Sequence, residues 1–321
     1  MMQFAEELQG IRSVAIAGHI RPDGDSVGAC VGLWHYIRDN YPQTEADIWL
    51  EQPDAKFAVL DGYEAIRQPD GQERIYDLFI AVDCADFDRL GDAARYFEKA
   101  GRTICVDHHI SNKGYADVNV IEAEASSTCE VLCRMMEPEK ILKAAACALY
   151  TGIAHDTGVF QYSCTSPDTM RIAAMLMEKE IPYTFLLEET YYKKTYRQNQ
   201  VLGKALLESM RLMGGACIVS VMRKREMDFF GVTPVDLDGI VSQLKLTEGV
   251  EAAIFLYETG PMEYKVSLRS KEKVDVSKVA SYFGGGGHVR AAGVTMKGTF
   301  HDIVNNLTLH IDQQLMGQEE Q

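Results

Sequence analysis

The stretch Ser13-Val14-Ala15-Ile16-Ala17-Gly18-His19-Ile20-Arg21-Pro22-Asp23-Gly24-Asp25-Ser26 sets the reading of the whole chain. Five small or β-branched apolar residues make a strand, and a turn crowded with one imidazole and two carboxylates follows it. From Ser26 to Asp39 the apolar residues then recur three and four apart, the spacing of a helix with one buried face. Strand, polar turn and helix in this order are the repeating unit of an open α/β fold. The pattern recurs downstream, with strands expected at Ala46–Leu50, Leu78–Val82 and Thr103–Val106 and helices at Phe87–Lys99, Ser126–Met136 and Ile141–Ile153. Ser166-Pro167-Asp168 reads as an N-cap with proline in the first turn, opening a helix that runs to Met177. The expectation is an α/β protein whose N-terminal domain is a parallel sheet with flanking helices.

Chemistry-bearing residues gather where those strands end, which is where open α/β sheets bind ligands. Asp83 follows Val82, Asp107-His108-His109 follows Val106, and Gly152-Ile153-Ala154-His155-Asp156-Thr157-Gly158 follows an apolar segment. Side-by-side parallel strands would bring His19, Asp23, Asp25, Asp83, His108 and Asp156 into one crevice, enough ligands for two divalent metal ions. Imidazole and carboxylate without thiolate suit Mn²⁺ best, with Co²⁺, Fe²⁺, Zn²⁺ and Mg²⁺ as less favoured occupants. Such a pair of ions favours phosphate-ester hydrolysis. Each piece has a plain structural alternative: the first turn caps a helix, Asp83 ends a strand, and the His pair is a satisfied polar cluster. All four loops falling in sheet order is what argues for a site.

A different pattern begins beyond residue 190. Lys193–Met213 reads as a helix stopped by Gly214-Gly215, and strands are expected at Ala216–Met222, Ala252–Tyr257 and Glu263–Arg269 with a helix at Pro234–Leu246. The domains expected are therefore 1–190 with the metal site, a linker helix over 191–213, and a smaller α/β domain with a mixed sheet over 214–321. Within the last lies Phe283-Gly284-Gly285-Gly286-Gly287-His288-Val289-Arg290-Ala291-Ala292-Gly293. Consecutive glycines let backbone N–H groups approach an anion, and His288 and Arg290 add donors. The alternative is a flexible turn feeding a strand around Val294–Met296; a dinucleotide fingerprint is excluded by spacing. Tyr191–Arg197 mixes aromatic and cationic residues, a resting place for base and phosphate, although a solvated helix face fits it better. Trp34 and His35 read as packing residues, and His301 and His310 as surface residues of a terminal helix.

Composition narrows the classes. A chain of 321 residues, 46% hydrophobic and 25% charged, has room for two globular domains. A formal net charge of -15 disfavours a protein that binds long duplex nucleic acid through many Lys and Arg side chains. Met1–Gly10 carries Glu6 and Glu7 and does not read as a secretory signal, and no apolar run is long enough to span a bilayer. Eight cysteines without a C-x-x-C pair suggest reduced thiols in the cytoplasm. Quaternary structure stays open between monomer and homodimer.

Taken together, the His19–Asp25 turn with Ser26 and Gly28, Val82-Asp83, Val106–His109, Asp156-Thr157-Gly158 and the Gly284–Gly293 segment resemble the DHH phosphoesterase superfamily, in the branch with a DHH-associated C-terminal domain. The size is most similar to the short stand-alone members, oligoribonucleases acting on nano-RNA, some of which also dephosphorylate 3'-phosphoadenosine 5'-phosphate. The resemblance implies one ion on His19, Asp23 and a bridging Asp83, and a second on Asp25, Asp83, His108 and Asp156. It also implies that His109 contacts the scissile phosphate, that Asp107 orients the imidazoles, and that His288 and Arg290, with Gly285, Gly286 and Gly287, bind the far end of the substrate. In-line attack on a phosphoester, with His109 and Arg21 stabilising the developing charge, is the chemistry expected. Short RNA or DNA oligonucleotides or small nucleotides are the expected substrates. A cyclic-dinucleotide phosphodiesterase is the enzymatic alternative, and a non-catalytic nucleotide sensor is the alternative of another class. Ser26 and Gly28 stand where many members have alanine and glycine, and His155 stands where a small or hydroxylated residue is expected.

Overall fold

The computed structural model of the chain describes residues 4–319. The chain divides into two compact units between Lys193 and Lys194. In the first, strands β1 (Ser13–Ala17), β2 (Glu45–Trp49), β3 (Ile66–Arg67), β4 (Leu78–Val82), β5 (Thr103–Asp107) and β6 (Val118–Ile121) form one sheet in the order β3-β2-β1-β4-β5-β6. Every pairing is parallel. Sequence reading missed β3, only two residues long, and β6, whose residues are mostly half-buried and lack a continuous apolar run.

Pleating sends alternate residues to opposite faces, and both faces are covered. Val14, Ile16, Ile80, Val82, Ile104 and Val106 join the larger core with helices Gly24–Asn40, Thr128–Met135 and Lys143–Asp156. Ala15, Ala17, Phe79 and Ala81 face Leu90, Ala93 and Tyr96 on the other side. The helix expected over Phe87–Lys99 is instead a 3₁₀ segment, Phe87–Ala93, broken at Gly91 (φ 56°), followed by the short helix Ala94–Phe97. Gly91 lies against Ile20, where a Cβ would come within 2.5 Å of Cγ2, so the break keeps the segment close to the first turn.

Strand order reverses direction between β1 and β4, and that switch point fixes where a ligand crevice opens. Helix Gly24–Asn40 starts two residues earlier than expected because Asp23, not Asp25, is the cap: its carboxylate accepts from the amides of Asp25 and Ser26. Asp25 is thus in the first helical turn. At the other end of the unit, helix Lys143–Asp156 runs three residues past its expected limit, so Asp156 projects from a final helical turn rather than from a loop.

The second unit is built on a mixed six-stranded sheet, β7 (Met210–Leu212), β8 (Cys217–Met222), β9 (Ala252–Gly260), β10 (Glu263–Ser270), β11 (Gly286–His288) and β12 (Ala291–Lys297), in the order β11-β12-β10-β9-β8-β7. Only β8 and β9 run parallel. Helices Val276–Tyr282 and Phe300–Glu319 contribute to the core on one face, and Tyr196–Leu207, Lys224–Phe230 and Ile240–Lys245 to that on the other. The helix expected over Lys193–Met213 covers only Tyr196–Leu207, where Thr195 and Gln198 form a capping box, and Met210–Leu212 is an edge strand. Gly239 (φ 82°) likewise splits the helix expected over Pro234–Leu246 into Pro234–Leu237 and Ile240–Lys245. His310, expected at the surface of the terminal helix, is half-buried there, its ring 4.1 Å from that of the exposed Tyr282. No helix among the described residues is long and apolar enough to cross a membrane.

Candidate metal centre

At the end of β1, His19 donates from Nδ1 to the carbonyl of Ile20 at 2.8 Å, since a carbonyl can only accept. That fixes the ring and turns Nε2 toward Asp23 Oδ2 at 3.6 Å and Asp83 Oδ2 at 3.5 Å. Asp83, at the end of β4, is buried and holds a left-handed backbone (φ 53°), a conformation that non-glycine residues adopt at a cost and that concentrates at functional sites. Its other oxygen, Oδ1, lies 3.7 Å from His108 Nε2. One carboxylate therefore presents one oxygen to each of two imidazoles. His108, just past β5, also lies 3.2 Å from Asp156 Oδ2.

Helix packing brings Asp25 and Asp156 to the same place. Gly28 sits where a Cβ would be 2.6 Å from the Ala148 carbonyl oxygen and 2.9 Å from the Gly152 nitrogen, so helices Gly24–Asn40 and Lys143–Asp156 touch backbone to backbone. Asp25 accepts from the amides of Thr128 at 2.6 Å and Cys129 at 3.1 Å, and the Thr128 hydroxyl donates to Asp83 Oδ1 at 3.2 Å. The positive end of helix Thr128–Met135, capped by Ser127, thus supports a buried carboxylate. Sequence reasoning missed Thr128, although the hydroxyl run Ser126-Ser127-Thr128 ahead of an apolar helix was a legible N-terminus. It also missed Asn112, whose amide donates to Asp107 Oδ2 at 2.7 Å.

Asp107 organises the third loop. Its Oδ1 accepts from the amides of His108 and His109 at 2.8 and 3.2 Å and from His109 Nδ1 at 2.7 Å. His109 consequently keeps Nε2 free and has Nδ1 committed. Among the described residues, three clusters have ligand atoms within 4.8 Å of one another: His19, Asp23 and Asp83; Asp25, His108 and Asp156; and Asp83, His108 and His109. In the third, His109 approaches Asp83 Oδ1 at 3.7 Å with the Nδ1 that it has given to Asp107, which favours the first two, with Asp83 between them.

The electrostatics fit cations at this place. Burial, and then the neighbouring Asp83 and Asp156, push the Asp25 carboxyl well above its usual range. Burial likewise raises Asp83 to about 6, against the opposing effect of His19. Burial alone would lower His19 and His108, but the carboxylates around them outweigh it and take each to about 10. Protons on two imidazoles are what balances clustered carboxylates here, and a divalent cation on the Nε2 lone pairs would do the same with more charge. The donor set, two imidazole nitrogens and four carboxylates without thiolate, matches a hard or borderline divalent ion.

The remaining residues singled out above are placed as follows. Arg21 is exposed with a left-handed backbone (φ 55°), its amide bonds Glu51 at 2.8 Å, and its guanidinium makes no ion pair among the described residues. His155 packs on the first turn: a Cβ at Gly24 would fall 2.2 Å from its Cγ. Its Nε2 reaches the Thr190 hydroxyl at 3.2 Å, which itself donates to Leu186, and its ring contacts Phe57 and Tyr191. Burial, followed by Lys56, pulls it down to about 4, so this histidine is a neutral prop beneath the turn rather than a ligand.

In the second unit, the glycine-rich segment is largely a hairpin, with Gly286, Gly287 and His288 paired to Gly293, Ala292 and Ala291. The Arg290 guanidinium donates to the carbonyls of Val274, at 2.8 Å, and Glu272, so it holds the hairpin to a neighbouring loop instead of standing free. His288 is exposed. Gly287 is required by the fold, since a Cβ would lie 2.4 Å from the Ala291 carbonyl; Gly286 has nothing within 4 Å and is left open to a ligand's approach.

Residues 13–153 match the DHH family, N-terminal domain, and residues 214–315 match the DHHA1 domain. The chain is 28% identical to a probable bifunctional oligoribonuclease and PAP phosphatase NrnA of Streptococcus mutans over 296 residues, covering 89% of this chain and 90% of that protein. It is 26% identical to the bifunctional oligoribonuclease and PAP phosphatase NrnA of Thermus thermophilus, over 93% of this chain and 89% of that one. Among solved structures, an exopolyphosphatase-related protein from Bacteroides fragilis superposes with a TM-score of 0.87 at 24% identity, covering 97% of this chain and 94% of that one. The RecJ of Thermus thermophilus, solved in complex with Mn²⁺, shares the fold at a TM-score of 0.55 and 14% identity, over 97% of this chain and 54% of that one. With the two domain models matched in order along one chain, the protein belongs to the DHH family of phosphoesterases, as a hydrolase whose DHH domain is followed by a DHHA1 domain.

Proposed function

We propose that the chain is a two-metal phosphoesterase, with Mn²⁺ as the preferred ion, that hydrolyses short oligoribonucleotides to mononucleotides and also takes 3'-phosphoadenosine 5'-phosphate. The observation that carries this reading is Asp83, whose two oxygens face His19 and His108 separately. His19, Asp23 and Asp83 would hold one ion, and Asp25, Asp83, His108 and Asp156 the other. When bound, the ions supply Lewis-acid polarisation of the phosphoryl oxygens and activation of water at neutral pH. Support for the substrate class comes from the relatives named above, both described as acting on oligoribonucleotides and PAP.

The chain's own residues have distinct duties in this reading. Asp107 takes the Nδ1 proton of His109 in a hydrogen bond, which points Nε2 away from Asp107 and holds the imidazole above its ordinary pKa. A charged His109 can bind the scissile phosphate and deliver a proton to the departing oxygen. Arg21, whose guanidinium makes no ion pair among the described residues, adds positive charge for the oxygens that become more negative in the transition state. Gly286 and His288 in the 214–321 domain would contact the distal part of the substrate. Arg290 would act indirectly, by holding their hairpin.

Product analysis with Mn²⁺ tests the proposal. A two-nucleotide RNA, a long unstructured RNA, cyclic di-AMP and 3'-phosphoadenosine 5'-phosphate are offered in parallel. Rapid conversion of the dinucleotide to mononucleotides, with slow action on the long RNA, is expected. Preference for cyclic di-AMP, or an inert dinucleotide, would overturn the assignment.

A further inference from the structure

Directly after Asp156 the chain makes a turn that no sequence pattern announces. Gly158, Val159 and Phe160 have φ of 56°, 56° and 64°, three left-handed residues in a row, one of them β-branched. Such a run persists only where its surroundings over-determine it. Here Thr157 does so: its carbonyl accepts from the amides of Gln161 and Tyr162, both at 2.9 Å, and its hydroxyl accepts from Phe160 N at 3.0 Å. The Val159 amide is tied to the Ala154 carbonyl at 2.7 Å, and the Phe160 ring lies 5.9 Å from that of Tyr150.

The turn delivers one side chain. The Tyr162 ring lies on Gly158, where a Cβ would be 2.4 Å from Cζ, and Cys164 then brings the chain back to the Asp156 carbonyl at 3.7 Å. Tyr162 is nevertheless 49% exposed, and its hydroxyl has no hydrogen-bond partner among the described residues. An aromatic ring is thus held, half open, on Gly158, which follows a carboxylate of the charged centre, Asp156, by two residues. On the adjoining loop, two residues beyond His108, Ile110 is 87% exposed while Asp107, His108, His109 and Asn112 are all engaged. His108 and Asp156 are in contact, so the ring and the aliphatic side chain are carried by loops that meet at the centre.

We infer that Tyr162, with Ile110 on the loop that carries His108, is the seat of a nucleobase: that of the nucleotide whose phosphate occupies the carboxylate and imidazole centre. This rests on the phosphoesterase reading above. An exposed ring face and a bare aliphatic group next to a charged centre suit a ligand with a flat apolar part attached to a phosphate, and every base has a π-face, so the seat is tolerant of base identity. Tyr162 is a binding residue here, and the left-handed turn is what positions it.

The test compares wild type, Tyr162→Ala and Tyr162→Phe on a two-nucleotide RNA and on an abasic analogue with the same phosphodiester. For Tyr162→Ala, KM for the dinucleotide should rise about tenfold more than KM for the analogue, with Tyr162→Phe close to wild type. Equal losses on both substrates would mean that Tyr162 only supports Asp156, and would overturn the seat. A dinucleotide carrying 2-aminopurine gives a readout that needs no turnover. Its fluorescence should be quenched on binding to wild type and much less on binding to Tyr162→Ala. Quenching that differs in this way without any hydrolysis would sustain the seat and sink the phosphoesterase reading. Hydrolysis with identical quenching in both proteins would do the reverse.

Discussion

Replacing Asp83 with Asn is expected to lower Mn²⁺-dependent kcat by about a thousandfold or more, because both of its oxygens are needed at once. Asn keeps the shape and one acceptor, but it offers neither the second anionic oxygen nor the charge that faces His19 and His108. The fold should tolerate the change. In the metal-free chain Asp83 crowds Asp25 and Asp156 as well as pairing with imidazoles, so its removal relieves one effect as it loses the other. Steady-state kinetics beside a thermal melt separate the two readouts. Activity that survives at high Mn²⁺ in a folded variant would remove Asp83 from the centre.

Gly28→Val should act through packing instead. A Cβ at Gly28 meets backbone on the facing helix, the Ala148 carbonyl oxygen at 2.6 Å and Gly152 N and Cα at 2.9 and 3.0 Å, and backbone cannot swing aside as a flexible side chain can. The two helices must part, at a cost of about 3 kcal/mol. For a domain of this size that corresponds to a melting temperature lower by about 10 °C. Activity should fall as well, since Asp25 lies one turn from Gly28 and Asp156 one turn from Gly152. A melting curve unchanged by the substitution would show that the helices do not meet as described.

Much of the first unit was readable because its strands are buried on both faces, and continuous apolar runs such as Leu78–Val82 leave little else for them to be. The residues that end those strands then lie in one crevice by topology alone. What escaped notice depends on tertiary geometry. Thr128 acts on Asp25 and Asp83 across long sequence separations, and Asn112 reaches Asp107 only because the loop after β5 folds back on the strand end. Asp156 looked like a loop residue because the helix was expected to end at Ile153, yet the helix runs on through Asp156, past Gly152, where two helices touch. His155 had no assignable role until its ring was seen resting on Gly24. The second unit was harder to read, since Gly239 and the short helices Lys224–Phe230 and Val276–Tyr282 break its periodicity before a pattern accumulates. Its glycine run suggested a free anion cradle, but a hairpin absorbs much of it, and Arg290 has its donors on backbone carbonyls.

The most direct measurement is a calorimetric titration of the metal-free protein with Mn²⁺ at about pH 8, repeated in buffers of different ionisation enthalpy. His19 and His108 titrate near 10 without metal, so at that pH both rings carry a proton on the nitrogen a cation needs. Two ions should bind per chain with the release of at least the two imidazole protons, and affinity should weaken as pH falls below 10 because the protons then compete more strongly. A single ion per chain, or binding that releases no protons, would contradict a centre in which Asp83 joins two metal sites.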